Sequence, residues 1–127
     1  MLPLKHSITL LLLLISSLVK AAEVEVKCEK VEHRGGDLFT FYISVDHNDE
    51  NWEHYVDRFE LLNEKGKIFA VRVLRHPHVN QRPFTRSVTT MLKEPLNKFS
   101  ARGHDLVHGY GPATQCNLEE LLDNVQN

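Results

Sequence analysis

The sequence has few of the residues on which soft-metal sites and nucleophilic enzymes depend. Met91 is its only methionine after the first residue, which excludes a methionine-rich site for cuprous copper. It contains no Gly-x-Ser-x-Gly motif and no evident serine or cysteine nucleophile beside a histidine. No general base with an orienting second group is evident either, so these absences favour a binding protein over an enzyme.

Long apolar runs are also scarce, and the one present lies near the N-terminus. A short segment with Lys5 precedes an apolar run over residues 8–19, and the small residues Ala21 and Ala22 follow. This order is typical of a secretory signal peptide, which we predict at residues 1–21; cleavage after Ala22 is the alternative. The run is shorter than the ~20 residues that cross a bilayer, so we expect export rather than a retained anchor.

Cleavage after Ala21 has two consequences for the mature N-terminus. Ala22 becomes the first residue, which excludes a copper site built on an N-terminal histidine. Because no cysteine follows directly, we expect no lipid anchor there. We therefore predict a secreted or periplasmic protein with no membrane span after cleavage.

The charge balance of the mature chain excludes one class of partner. Without Lys5 and Lys20, thirteen of the fifteen basic residues remain against seventeen acidic ones. Nucleic-acid binders carry a basic surface, so no nucleic-acid partner is expected. Residues 22–127 are about the size of one domain and are predicted to form one.

The sequence has only two cysteines, Cys28 and Cys116, near the two ends of the mature chain. An exported chain reaches a compartment that permits oxidation, so we predict a disulfide between them. A pair of thiolate metal ligands is the weaker alternative, because neither cysteine has a second one at ligand spacing.

Alternating apolar and polar residues predict a β protein, most clearly where Phe39, Phe41, Ile43 and Val45 share one face. We predict strands at 23–32, 39–45, 55–61, 68–74, 84–89 and 97–102, an extended segment within 112–116 that returns to the first strand, and a terminal helix over 118–124 capped by Asn117. Short strands separated by turns, with no helical periodicity before the tail, predict an all-β fold: an antiparallel immunoglobulin-like β-sandwich with a short C-terminal helix.

Histidine is the chemically informative residue of this chain, and six of its eight histidines fall near three predicted loops. In a sandwich, the loops after the second, fourth and sixth strands emerge at the same end. Neutral imidazole binds zinc and copper(II), so these histidines predict a divalent metal site at that end. The candidate ligands are His47, His54, His76, His78, His104 and His108.

Other readings of the same loops stay open. Each histidine alone is well explained as a surface or capping residue, and without a metal the loops form an interaction module for a protein or a small anionic ligand. A metal-dependent enzyme of unknown reaction is a further alternative.

The side chains expected to contact a ligand are Trp52, Tyr55, Asp57, Arg75, Arg86, Asp105 and Tyr110. Trp52 or Tyr55 is expected to fill the core instead, and Asp57 has an ordinary explanation as a cross-strand partner of Arg72 or Arg75.

Three segments together resemble a family of small exported bacterial proteins of uncharacterised function. They are Asn51-Trp52-Glu53-His54-Tyr55-Val56-Asp57, Val73 to His78 with Pro83-Phe84-Thr85-Arg86-Ser87, and His104-Asp105-Leu106-Val107-His108-Gly109-Tyr110-Gly111. The resemblance implies export and a role for these loops, but it brings no activity. The chain departs from the family in having Phe59 where a tryptophan is usual, in lacking an acidic residue near Gln81, and in its cysteine pair.

Overall fold

The computed structural model describes residues 23–122, which form two antiparallel β-sheets packed face to face and one short helix. This confirms the predicted fold class. The elements are β1 (Glu25–Gly35), β2 (Leu38–Asp46), β3 (Val56–Leu62), β4 (Ile68–Val73), β5 (Phe84–Met91), β6 (Lys98–Asp105), β7 (Gly109–Tyr110), β8 (Thr114–Asn117) and α1 (Leu118–Leu121). The predicted signal peptide and the last residues of the predicted helix lie outside the described residues.

One sheet has the strand order β1-β2-β5, and the other has the order β4-β3-β6 with β7 and β8 both paired to β6. The strands β4 and β5 are edges of different sheets that lie beside each other. Two hydrogen bonds join them, from Arg72 Nη1 to the Ser87 carbonyl over 2.7 Å and from Thr90 Oγ1 to the Phe69 carbonyl over 3.4 Å. This side of the sandwich is therefore built from two adjacent strand edges.

The core lies between the sheets, where the alternation in each strand directs apolar side chains inward. Phe41 of β2 meets Phe99 of β6 edge to face, with ring centroids 5.2 Å apart. In β6 the same alternation buries Ala101 and Asp105 and leaves His104 on the outer face. An ionisable side chain thus ends an otherwise apolar row.

Cys28 and Cys116 agree with the predicted disulfide, since their sulphur atoms are 1.99 Å apart. The final strand returns to the first strand as predicted, but it does not join the sheet that contains the first strand. β8 pairs with β6, opposite Phe99 and Ala101, and its links to β1 are the disulfide and a bond from Thr114 Oγ1 to the Val26 carbonyl. The sequence shows the extended segment but not which strand edge accepts it.

Local turn and cap signals were reliable. Gly66 has a φ of 80° in the turn between β3 and β4, where Asn63 Oδ1 accepts the backbone N–H groups of Lys65 and Lys67. Left-handed φ values of this kind favour glycine. At α1 the side chain of Asn117 accepts the Glu120 N–H over 3.3 Å, which confirms the predicted cap.

Candidate metal centre

Asp105 lies at the centre of a polar cluster at the end of β6 and is fully buried. Its Oδ2 accepts hydrogen bonds from three imidazoles: His47 Nε2 at 2.8 Å, His54 Nε2 at 3.0 Å and His108 Nδ1 at 3.0 Å. Its Oδ1 accepts the backbone N–H of Val107 over 2.7 Å. We call His47, His54, Asp105 and His108 the Asp105 cluster.

His47 follows β2 directly and is almost fully buried. Its Nδ1 donates to Asp49 Oδ1 over 2.6 Å, so both ring nitrogens face carboxylates. Asp49 is itself held in place, because Oδ1 also accepts the Val56 N–H over 3.1 Å and Oδ2 accepts the His78 N–H over 2.8 Å. Two backbone N–H groups thus hold the Asp49 carboxylate in place, and the carboxylate in turn orients the His47 ring.

His54 is positioned by the loop that precedes β3. The side chain of Asn51 accepts the backbone N–H groups of Glu53 and His54 at 2.9 and 3.0 Å, which closes a tight turn. The Nδ1 of His54 lies 3.2 Å from Glu50 Oε1. Glu50 was not among the predicted site residues, although its spacing of four residues from His54 was a usable signal.

His47 and His54 thus share one arrangement, with Nε2 directed at Asp105 and Nδ1 bonded to a second carboxylate. Histidines that bind metals commonly donate their other ring N–H to a carboxylate in this way. His47, His54 and Asp105 each present one ligand atom, and these three atoms lie within 4.8 Å of one another. His108 reaches the same oxygen from the solvent side, with 40% of its side chain exposed.

The electrostatics of the cluster favour an ionised carboxylate. Burial alone would raise the pKa of Asp105, but hydrogen bonds from His108, the Val107 N–H, His54 and His47 hold it below its usual range. For His47, burial opposes the charged form, yet the hydrogen bonds to Asp49 and Asp105 raise the pKa of the imidazole. In the absence of an ion, protons therefore bridge these nitrogens and carboxylates.

The other predicted histidines do not join this cluster. His78 is buried and stacks on Phe84 with ring centroids 3.9 Å apart, and its Nε2 accepts from Arg86 Nη2 over 3.1 Å. Burial, with Arg86 and His76 close by, lowers the pKa of His78, so the ring is neutral at pH 7. His76 is exposed, and its ring lies 4.5 Å from that of His78.

His104 belongs to β6 rather than to the predicted loop, and it does not join the Asp105 cluster. Its Nδ1 is 2.6 Å from Asp57 Oδ1 on the outer face of the sheet. Asp57 also pairs with Arg58 over 2.9 Å, not with Arg72 or Arg75. The single six-histidine rim expected from the sequence is therefore divided into three groups.

The predicted aromatic residues are also separated. Trp52 is 65% exposed and meets Tyr55 edge to face at 5.8 Å, so the expectation that one of them fills the core does not hold for Trp52.

Tyr110 lies on the outer face of the second sheet, where its hydroxyl donates to Glu60 Oε2 over 2.9 Å. The guanidinium of Arg102 stacks on the Tyr110 ring at 4.0 Å. Arg75 and Arg86 line a separate pocket beside β4.

Comparisons with known proteins show the fold but not a family. No protein-family model matches the chain. A protein of Halomicrobium mukohataei named "Putative lipoprotein" is 33% identical over 89 residues, which are 70% of this chain and 44% of that protein. The chain therefore spans less than half the length of this relative. A variant of a superoxide reductase (neelaredoxin) from Ignicoccus hospitalis has a TM-score of 0.51 at 14% identity, over 86% of each chain.

Within residues 23–122, the helical segment is too short to cross a membrane.

Proposed function

We propose that this protein is an exported metal-binding protein that holds one divalent ion at the Asp105 cluster. The observation that carries the proposal is the shared arrangement of His47 and His54. Both direct Nε2 at the same carboxylate oxygen and have a second carboxylate at Nδ1. Such outer carboxylates orient metal-binding imidazoles and raise their basicity.

The spacing of the donor atoms suits an ion. Oδ2 of Asp105 lies 2.8 and 3.0 Å from the Nε2 atoms of His47 and His54. When metal–ligand bonds are about 2.0–2.1 Å long, the ligand atoms lie roughly 3 Å apart at right angles and roughly 3.3 Å apart in a tetrahedral site. An ion can thus take the place of the bridging protons with small side-chain movements.

The donor set restricts the metal. Imidazole and carboxylate suit zinc and copper(II), the metals expected from the sequence, and two histidines with one carboxylate are also a common donor set for non-haem iron(II). Thiolate is absent from the cluster because Cys28 and Cys116 are bonded to each other. We therefore propose zinc, copper(II) or iron(II), and not cuprous copper.

Export is supported by three independent features. The N-terminal sequence is typical of a signal peptide, the two cysteines lie at disulfide distance, and the relative from Halomicrobium mukohataei is named as a lipoprotein. We place the protein outside the cytoplasm, in the cell envelope or beyond it.

Calorimetric titration of chelator-treated protein with zinc, copper(II) and, without oxygen, iron(II) tests the proposal. We expect one ion per chain, with binding lost in His54→Ala and weakened at least about tenfold in Asp105→Asn. His33→Ala is the matched control, because His33 lies on β1 outside the Asp105 cluster, where it donates to the Gly36 carbonyl and stacks on Phe39. Absence of uptake by the parent protein, or equal loss in the control, would leave the cluster as a structural network.

A second candidate function is the reduction of superoxide. It is supported by the fold shared with a protein named superoxide reductase and by a donor set that leaves positions open when it holds iron(II). Superoxide takes up two protons and one electron to give hydrogen peroxide; bound iron(II) would supply the electron, and an external one-electron reductant would be needed to restore it. Iron-loaded protein that removes superoxide and forms peroxide without evolving oxygen would support this function; removal at the uncatalysed rate would leave metal binding alone.

A further inference from the structure

The chain contains a long segment without any carboxylate, and this segment forms one side of the sandwich. Residues 65–93 include seven lysines and arginines and no Asp or Glu, although the whole chain has a net charge of −2. The segment supplies β4 and β5, the two adjacent strand edges. Positive charge is therefore concentrated on the β4–β5 side of a mildly acidic protein.

A pocket lies on this side, and its charged lining is entirely basic. Its volume is about 480 Å³, and its polar lining consists of Arg72, Arg75, Arg86, His76 and His78. A pocket of this size is in the range that holds small organic ligands. Within residues 23–122, none of the three arginines forms a salt bridge with a carboxylate, whereas the neighbouring Arg82 pairs with Asp46 over 2.8 Å.

Two of the arginines are held in place by other contacts. Arg72 Nη1 donates to the Ser87 carbonyl over 2.7 Å. Arg86 donates from Nη2 to His78 Nε2, and its guanidinium lies 5.4 Å from the centre of the Phe84 ring. Guanidinium groups fixed in this way lose less conformational entropy when they bind a ligand.

The wall of the pocket also contains an unpaired buried donor. Because Nε2 of His78 accepts from Arg86, a neutral ring carries its proton on Nδ1. His78 is 2% exposed, and its Nδ1 is the one buried side-chain polar atom without a hydrogen-bond partner in the described part of the chain. Buried donors are nearly always paired, so the Nδ1–H group of His78 favours a ligand that places a hydrogen-bond acceptor at this wall of the pocket.

We propose that this pocket binds a small organic anion with two or more carboxylate or phosphate groups. Guanidinium matches both groups in bidentate fashion, and three uncompensated arginines match more than one negative charge. The site is distinct from the Asp105 cluster. Asp49 connects the two sites, because it accepts the His78 N–H and the His47 ring N–H.

The test uses succinate and inorganic phosphate as probes, added to metal-free protein at low salt. Arginine Nε–H resonances followed by NMR report binding directly, and the metal-free state keeps the result independent of metal binding. We expect saturable shifts for Arg72, Arg75 and Arg86, and affinity about tenfold lower in Arg75→Gln and in Arg86→Gln. The ratio of succinate to phosphate affinity identifies the preferred acid group.

Arg82→Gln is the matched control, since it removes the same charge from the same segment outside the pocket. Its affinity should stay within about twofold of the parent, because Arg82 does not line the pocket and its exposed charge is paired with Asp46. Arg75→Lys keeps the charge and should bind less tightly than the parent if bidentate geometry matters. Absence of saturable shifts, or an equal loss in Arg82→Gln, would overturn the proposal, and unchanged thermal unfolding of each variant shows that it is folded.

Discussion

Asp49 accepts the backbone N–H of His78 over 2.8 Å, and so joins the loop after β4 to the loop after β2. The same carboxylate accepts the His47 ring N–H over 2.6 Å. The loops after the second and fourth strands therefore meet, as the sandwich topology requires. They meet through an aspartate that orients one histidine and fixes the main chain of the other, and not through two histidines at one ion.

Asp49→Asn should weaken metal binding without unfolding the protein. The amide keeps one oxygen, so it can accept the Val56 N–H or the His78 N–H but not both, and it removes the negative charge that makes the His47 ring more basic. Loss of such an outer carboxylate commonly costs about 10- to 100-fold in metal affinity. Calorimetry on parent and variant measures the change.

Asp46→Asn provides the control for this substitution. Asp46 is three residues away and bonds to the exposed Arg82, so its replacement should leave metal affinity within about twofold of the parent. If Asp49→Asn and Asp46→Asn give the same affinity, Asp49 does not orient a ligand.

Metal affinity should fall as the pH is lowered, and the fall should begin above pH 6.5. Burial alone would lower the pKa of His47, but the hydrogen bonds that its ring donates to Asp49 and Asp105 raise the pKa above its ordinary value of 6.5. Below that raised pKa a proton occupies Nε2, and the ion must displace it, so affinity declines by about tenfold per pH unit for each displaced proton. Zinc titrations between pH 8 and pH 5 measure this slope; an affinity that is constant from pH 8 to pH 6 would mean that His47 is not a ligand.

Glu60→Gln should destabilise the fold without affecting the Asp105 cluster. The carboxylate is buried and accepts from Arg102 Nε at 2.9 Å, Arg58 Nε at 3.1 Å and the Tyr110 hydroxyl at 2.9 Å. Removal of one charged member of a buried network costs about 1–3 kcal/mol. Urea unfolding at pH 7 measures the loss, and Glu25→Gln, at an exposed position in β1, should stay within about 0.5 kcal/mol of the parent.

The same substitution should flatten the acid limb of the stability curve. Burial would raise the pKa of Glu60, but hydrogen bonds from Arg102, Tyr110 and Arg58 lower it below the ordinary value of 4.5. Because the folded-state pKa lies below the unfolded one, the contribution is complete above about pH 4.5 and is lost as the pH falls through the folded-state pKa. Parent and variant should therefore approach each other in stability below pH 4, and a constant difference down to pH 3 would contradict this assignment.

The strands were predictable because their alternating pattern is local. The site was harder to predict, because moving by one residue along a strand turns a side chain from the core to the outer face. Phe39 to Val45 alternate cleanly, and β2 was placed correctly. The sixth strand was predicted to end at Arg102, so His104 and Asp105 were both assigned to a loop in which either could face any direction. β6 in fact continues to Asp105, and adjacent residues of a strand face opposite sides. Asp105 therefore faces inward to meet His47 and His54, while His104 faces outward to Asp57.

The last prediction concerns whether His108 is a permanent ligand. His47 and His54 are fixed by carboxylates at Nδ1, but His108 has 40% of its side chain exposed and reaches Asp105 from the solvent side. We expect His47→Ala to abolish uptake and His108→Ala to weaken it by about tenfold or less, because an exposed side chain loses more conformational entropy when a metal orders it. Calorimetry on both variants, with circular dichroism as the check on folding, measures the difference. Equal losses would mean that His108 closes a four-ligand site of the structural type, whereas a small loss at His108 leaves a coordination position that a substrate can occupy.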